Sequence, residues 1–208
     1  AGPTGGTIKR PWDMKEPRRI AWLQCIGSRD QEHNYCSSIC CMYATKEAVL
    51  AKQRDPGVTC QVFMMDERTF SKEYNAYFDQ ARNQYGVKYT RCRISGLKEE
   101  PLTRDVIVAY QSKDGVMHEE KFDLVVLSVG SEPPPRAVTL AKQLGIRLNE
   151  YGFCETEKFA PLQTSRPGIF VAGAFSAPKE IAESVAEASG AVGEALALLS
   201  GANGTLAK

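Results

Sequence analysis

Short apolar runs alternate with segments of helical period along this chain, and that alternation restricts the fold more than any other feature. Residues 19–25, 59–65 and 87–94 read as strands, the second of them (TCQVFMM) apolar enough to be buried. Between them, residues 36 to about 53 and 71–85 read as helices. Asp55-Pro56-Gly57 stops the first, and Tyr74, Tyr77, Phe78 and Ala81 recur near a 3.6-residue period in the second. Residues 106–110 and 119–122 flank Lys113-Asp114-Gly115, a hairpin turn signal. The run LVVLSV (124–129) is a continuous apolar strand ending at Gly130. Residues 137–144 form a predicted short helix, 169–172 a buried strand ending at Gly173, and 181 to about 200 a long Ala-rich helix. Strands separated by helices predict a mostly parallel sheet; the hairpin adds an antiparallel excursion before the last apolar strand.

Four cysteines, Cys25, Cys36, Cys40 and Cys41, fall in the run QCIGSRDQEHNYCSSICCMYATK with spacing C-x10-C-x3-C-C. The first follows a strand and the other three open the predicted helix. Four thiolates converging from a strand end and a helix start can hold a soft metal or an iron–sulfur cluster. Two other readings stand beside this one: buried thiols acting as small apolar residues, and a zinc site. Structural zinc usually shows two short C-x2–4-C pairs, which this spacing does not provide. A thiol–disulfide role for Cys40 and Cys41 ranks last, because adjacent cysteines strain a disulfide and no C-x-x-C is present.

The chain has 208 residues, 43% hydrophobic and 25% charged, the composition of a globular protein. A net charge of +1 gives no electrostatic footprint for nucleic acid, and no apolar run approaches the length of a spanning helix. Seven cysteines, clustered rather than spread, suit a reducing compartment, so a cytoplasmic location, at most peripheral to a membrane complex, is expected. Residues 1–18, rich in Gly and Pro, read as an extended lead-in. Residues 19–135 read as one Rossmann-like domain, 136–200 as part of a second, and 201–208 as a flexible tail.

A dinucleotide site places G-x-G-x-x-G between the first strand and the first helix, where the helix N-terminus meets the pyrophosphate. Here the loop runs Cys25-Ile26-Gly27-Ser28-Arg29-Asp30, with one glycine, into a helix whose first turn carries three cysteines. Metal ligands stand where phosphate contacts would be, so NAD(P)H binding is not expected.

The order of elements is the plan of the pyridine-nucleotide domain of flavoprotein disulfide reductases. The runs IAWLQCIGSRD…YCSSICCMYATKEAVL, GPTGGTIKRPWD and GIFVAGAFSAPKEIAESVAEASGAV resemble the flavin-containing A subunit of heterodisulfide reductases and related subunits, over roughly residues 2–199. The resemblance implies an α/β fold of the FAD/NAD(P)-binding, thioredoxin and glutathione reductase-like kind: a parallel sheet with an antiparallel β-meander. It implies a [4Fe-4S] cluster on Cys25, Cys36, Cys40 and Cys41, an FAD exchanging electrons with it, and electron relay with flavin-based bifurcation as an extension. It also implies other redox subunits as partners. The family's N-terminal FAD half and its C-x2-C-x2-C-x3-C ferredoxin motifs are absent from these residues, so the FAD site is expected to be incomplete in this chain alone and to need a separate chain or segment. The alternative is a non-catalytic zinc-binding scaffold that docks redox partners.

The resemblance further places Gly130, Gly173, Ala174, Lys179, Glu180, Ile181 and Ala182 at the flavin. Gly173 would allow close backbone approach, and the N–H groups around Glu180 to Ala182 would face the ring, because helix N-termini favour anions. Ala174 stands where many relatives carry Asp. Lys46, in CCMYA-x-K, would hydrogen-bond the flavin and act as the catalytic residue. Cys60 and Cys92 are expected to be buried in strands and Cys154 to sit in an exposed loop, while His33 and His118 read as surface residues.

Overall fold

β1 (Arg19–Ile26) is apolar on both faces: Ile20, Ala21, Trp22 and Leu23 are each at most 2% exposed. Such a strand belongs inside a sheet between parallel neighbours. In the computed structural model, which describes residues 4–201, β1 lies between β2 (Thr59–Met64) and β7 (Leu124–Val129), parallel to both. β3 (Lys88–Arg91) extends the sheet to the order β3-β2-β1-β7. The crossovers are α1 (Cys40–Arg54) and α2 (Tyr74–Asn83). The Asp55 side chain ends α1 by accepting the Gly57 N–H at 2.8 Å, the Asx turn expected of Asp-Pro-Gly.

Successive β1 side chains face opposite ways. Ile20 and Trp22 pack with Ala44, Ala48 and Val49 of α1. Ala21 and Leu23 pack with Val108, Tyr110 and Phe122 of an antiparallel sheet formed by β4 (Arg93–Glu99), β5 (Val106–Gln111) and β6 (Met117–Phe122). Phe63 of β2 seals this second core, its ring centroid 5.0 Å from Tyr110 and 5.6 Å from Phe122. The parallel sheet with its antiparallel meander is the architecture expected from the sequence.

Two boundaries differ from expectation. Residues 87–94 are not one strand. At Cys92, whose N–H donates to Met64 O at 2.9 Å, the chain leaves the parallel sheet, and Arg93 pairs with Gln111 in the meander. α1 begins at Cys40 rather than at residue 36. Ser38 sits at φ +61°, a left-handed conformation that no helical turn can include.

Chain contacts divide the molecule into two units, residues 1–29 with 40–130, and residues 30–39 with 131–208. The second holds α3 (Ala137–Leu144), the antiparallel pair β8 (Thr156–Glu157) and β9 (Ala160–Thr164), and α4 (Ile181–Ser200). Gly145, at φ +68°, closes α3 by returning its N–H to Lys142 O at 3.3 Å. The core here is Ala141, Ile146, Cys154 and Val171. Residues 169–172, expected as a buried strand, make one bridge, Gln163 to Phe170. The bridge falls on β9, with the Val171 N–H on Leu162 O at 2.9 Å and the Thr164 N–H on Ile169 O at 3.3 Å, and the pairing runs no further. α4 buries none of its residues. No described helix is long and apolar enough to cross a membrane. The expected flexible tail falls, but for Gly201, on residues 202–208, outside the described residues.

Candidate functional site

In open α/β sheets ligands bind beyond the carboxyl ends of the strands, and in the first unit that end carries Cys25, Cys40 and Cys41. The pairing of β1 with β7 shifts between Leu23 and Ile26. Within that irregularity Cys25 is held at φ +62°, a conformation that costs a Cβ-bearing residue roughly 1–2 kcal/mol. Strain of this kind collects at functional sites. Gly27 (φ +68°) and Arg29 (φ +59°) continue the turn, and the Ser28 N–H returns to Cys25 O at 3.4 Å.

Arg29 reaches across to Asp66, just past β2, with two hydrogen bonds of 2.5 and 3.2 Å, and its guanidinium also interacts with Cys25. Cys40 is buried and Cys41 half-buried, the Cys41 thiol 4.0 Å from Asp66 O. One turn on, the Tyr43 hydroxyl donates to Val129 O at 3.0 Å; burial, then the negative charge of Cys40, pushes its pKa up to about 12. Burial also acts to raise the Asp66 carboxyl, but the hydrogen bonds from Arg29 and Arg68 hold it below its ordinary value of 3.8. A carboxyl depressed on folding contributes stability above its unfolded pKa and loses it as pH falls through the folded value. The melting-temperature gap between wild type and Asp66→Asn is therefore expected to be constant above about pH 5 and to close below pH 3.8.

Cys36 belongs to the second unit. Its thiol accepts the Ser38 N–H at 3.3 Å. The loop around it is fixed by Ser37 Oγ, which accepts the Ser131 N–H at 2.9 Å, and by the Tyr35 hydroxyl on Ser131 O at 2.9 Å. The Tyr35 ring sits edge-on to Tyr151 and Phe153, at 4.9 and 5.4 Å. Among the described residues no three Cys, His, Asp or Glu side chains are gathered to hold a metal, and no disulfide joins the cysteines.

Sequence reasoning passed over two residues beside Cys25. Gln24 is 9% exposed and Ser28 2%, and the amide nitrogen and oxygen of the first and the hydroxyl of the second have no hydrogen-bond partner. The sequence signal for Gln24 is a polar residue ending the apolar run IAWLQ. Gln61, buried in the same sheet, shows the ordinary outcome: its amide reaches Thr90 Oγ1 at 3.0 Å and Glu120 Oε1 at 3.1 Å. Four thiols suit a thiophilic group, and orphaned polar atoms flanking Cys25 in sequence mark a place where a partner is wanting. These residues fit an iron–sulfur group in chemistry.

The predicted flavin segment is internally engaged. The Gly173 N–H, at φ +74°, donates to Glu187 Oε2 at 2.8 Å. Lys179 binds Ser176 Oγ at 2.7 Å and pairs with the other Glu187 oxygen. Glu180 caps α4: its side chain accepts the Glu183 N–H at 3.3 Å and its own N–H donates to Glu183 at 3.1 Å. Ile181 and Ala182 lie exposed in the first turn. Ala174 lines a groove of about 840 Å³ with Arg136, Leu140 and Phe175. In the first unit, the Gly130 N–H donates to Ile26 O at 2.7 Å, and Lys46 is exposed on α1. Glu187 was not anticipated; a single carboxylate inside SVAEASGAV was its only signal. Cys154, expected in an exposed loop, is buried against Ala141, Ile146 and Val171.

A parallel sheet, a meander and a last return strand define the nucleotide-domain class of flavoprotein reductases. Thioredoxin reductase of Lactococcus lactis shares the fold, with a TM-score of 0.56 at 18% identity over 86% of this chain and 52% of that one. LpdA of Mycobacterium tuberculosis does so with a TM-score of 0.54 at 17% identity, over 89% of this chain and 35% of that one. The chain belongs to the pyridine nucleotide-disulphide oxidoreductase family, which it matches over residues 48–195. That match begins after the last of the four clustered cysteines. The resemblance to heterodisulfide reductase A subunits is borne out. The chain is 44% identical to the iron-sulfur A subunit of the CoB–CoM heterodisulfide reductase of Methanocaldococcus jannaschii, over 92% of this chain and 30% of the relative. It is 41% identical to the second of the corresponding iron-sulfur subunits of Methanopyrus kandleri, over 96% and 31%. The chain thus spans about 30% of the length of these relatives.

Proposed function

We propose that this chain is an electron-transfer module of a heterodisulfide reductase-type complex. Cys25, Cys36, Cys40 and Cys41 supply four thiolates to a [4Fe-4S] cluster, and the segment from Gly173 to Ala182, with Gly130 and Lys46, contributes to an FAD site completed by residues beyond these 208. The observation that carries this reading is the loop after β1. Where the family's fold usually presents a glycine-rich phosphate cradle, this loop has Gly27 alone, a strained Cys25, and two cysteines opening α1. The similarity to relatives named as iron-sulfur subunits supports it.

An iron–sulfur group held there would supply one-electron transfer. Cys25, Cys40 and Cys41 would hold it at the sheet's carboxyl end, and Arg29 sets a positive charge beside Cys25. Electrons would come from and return to partner redox subunits, by relay or, as an extension, by bifurcation at the flavin. Two features oppose a simple carry-over of the flavin contacts: Glu187 already occupies the Gly173 N–H, and Glu183 the Glu180 N–H. These bonds must open, or FAD must approach elsewhere on the segment.

Anaerobic purification with iron, sulfide, zinc and flavin analysis tests the proposal. About four irons and four sulfides per chain are expected. A colourless protein holding one zinc, and failing anaerobic reconstitution, would replace this reading with the scaffold. Tight NAD(P)H binding in calorimetry would contradict the claim that cysteines have displaced the phosphate site.

A further inference from the structure

Gln24 and Ser28 bracket Cys25 at one and three residues' distance, and both are more than nine-tenths buried with unpartnered side-chain atoms. Native proteins rarely leave buried donors unmade, and an orphan calls for a bound group or water at that place. Ile20 and Trp22 face α1, and Gln24 follows them in the strand's alternation at its carboxyl end, where the pairing with β7 shifts between Leu23 and Ile26. The amino end of the helix that follows lies there, and it begins with Cys40 and Cys41. Ser28 lies in the turn that folds back onto Cys25 O.

We propose that Gln24 and Ser28 are hydrogen-bond donors to the sulfur atoms of the iron–sulfur group, and that they set its reduction potential. The inference rests on the cluster reading above. Thiolate and sulfide sulfurs accept hydrogen bonds, and the reduced cluster, carrying one more negative charge, accepts them more strongly. Donors in a buried site therefore favour the reduced form. The amide of Gln24 brings two N–H groups and Ser28 one hydroxyl, all shielded from water. Arg29 contributes positive charge on the Cys25 side, so the three residues together bias the site toward reduction.

The test uses the full chain, reconstituted with iron and sulfide, as wild type, Gln24→Leu, Ser28→Ala and Ser28→Thr. Iron content, the midpoint potential from a titration followed by electron paramagnetic resonance, and the melting temperature of the apo form are measured on each. Gln24→Leu and Ser28→Ala are expected to keep wild-type iron content and to shift the potential negative, while Ser28→Thr, which retains the hydroxyl, returns to the wild-type value. The apo form of Gln24→Leu is expected to melt above wild type, because an unsatisfied amide has been removed. A purely structural role predicts the change in melting without the change in potential. Iron-loaded Gln24→Leu and Ser28→Ala with wild-type potentials would overturn the inference and leave the cluster standing. A wild type that takes up no iron would overturn the cluster reading and this inference with it.

Discussion

Cys25→Gly is expected to stabilise the apo protein while reducing its iron content to background. The side chain at position 25 sits at φ +62°, where a Cβ costs roughly 1–2 kcal/mol. Glycine is indifferent to that conformation but gives back about 0.5–1 kcal/mol through the greater freedom of the unfolded chain. The net gain is about 1 kcal/mol, a rise of about 2–4 °C in melting temperature for a chain of this size. The same substitution removes one of four proposed ligands, so a chain that folds better should bind no cluster. Opposed signs in the two readouts separate ligand loss from misfolding, which a single measurement of activity does not. A variant that melts higher and still loads four irons would remove Cys25 from the ligand set.

Phe63→Ala is expected to cost about 3–5 kcal/mol. Phe63 is 1% exposed and belongs to the parallel sheet, yet its ring packs on Tyr110 and Phe122 of the meander. The cavity would open between two rigid sheets that cannot collapse into it. At about 2–4 °C per kcal/mol, the melting temperature should fall by roughly 10 °C. A loss below about 1 kcal/mol would show that the meander and the parallel sheet do not share this core.

The centre of the sheet was legible in the sequence because β1 and β2 are apolar on both faces. IAWLQ and TCQVFMM suit the interior of a parallel sheet, LVVLSV forms its edge with Leu127 and Val129 exposed, and the hairpin at Lys113-Asp114-Gly115 marks the antiparallel part. What escaped was decided by backbone conformation or by distant neighbours. Nothing in Cys-Ser-Ser-Ile announces that Ser38 will turn left-handed and hold Cys36 out of the helix. The change of sheet at Cys92 occurs within a run of uniform strand propensity. Residues 169–172 have the composition of a buried strand, but their pairing with β9 stops at one bridge, a length that composition does not set. Of the candidate site, the four thiols were legible by type and spacing. Their distribution over two units was not, and neither were the orphaned Gln24 and Ser28, since satisfaction of a buried polar atom is a property of surroundings and not of the residue. Glu187 was hidden for the same reason: its partners, Gly173 and Lys179, lie 14 and 8 residues earlier, outside the one-turn spacing at which a helical pattern pairs side chains.

The central strand also fixes an order of events during synthesis. β1 needs β7 on one edge, Ile20 opposite Leu124, and the Asp123 side chain on the Arg18 and Arg19 N–H groups. At a translation rate of about 5–20 residues per second, the ribosome leaves that apolar edge uncovered for roughly 5–20 seconds after β1 has emerged. During that interval an exposed strand edge is a template for pairing with any other chain. β1 can be safely built only after β7 has been made, so Cys25 at its end becomes correctly placed about a hundred residues after its own synthesis. Insertion of the proposed cluster during synthesis would have to wait for the same event.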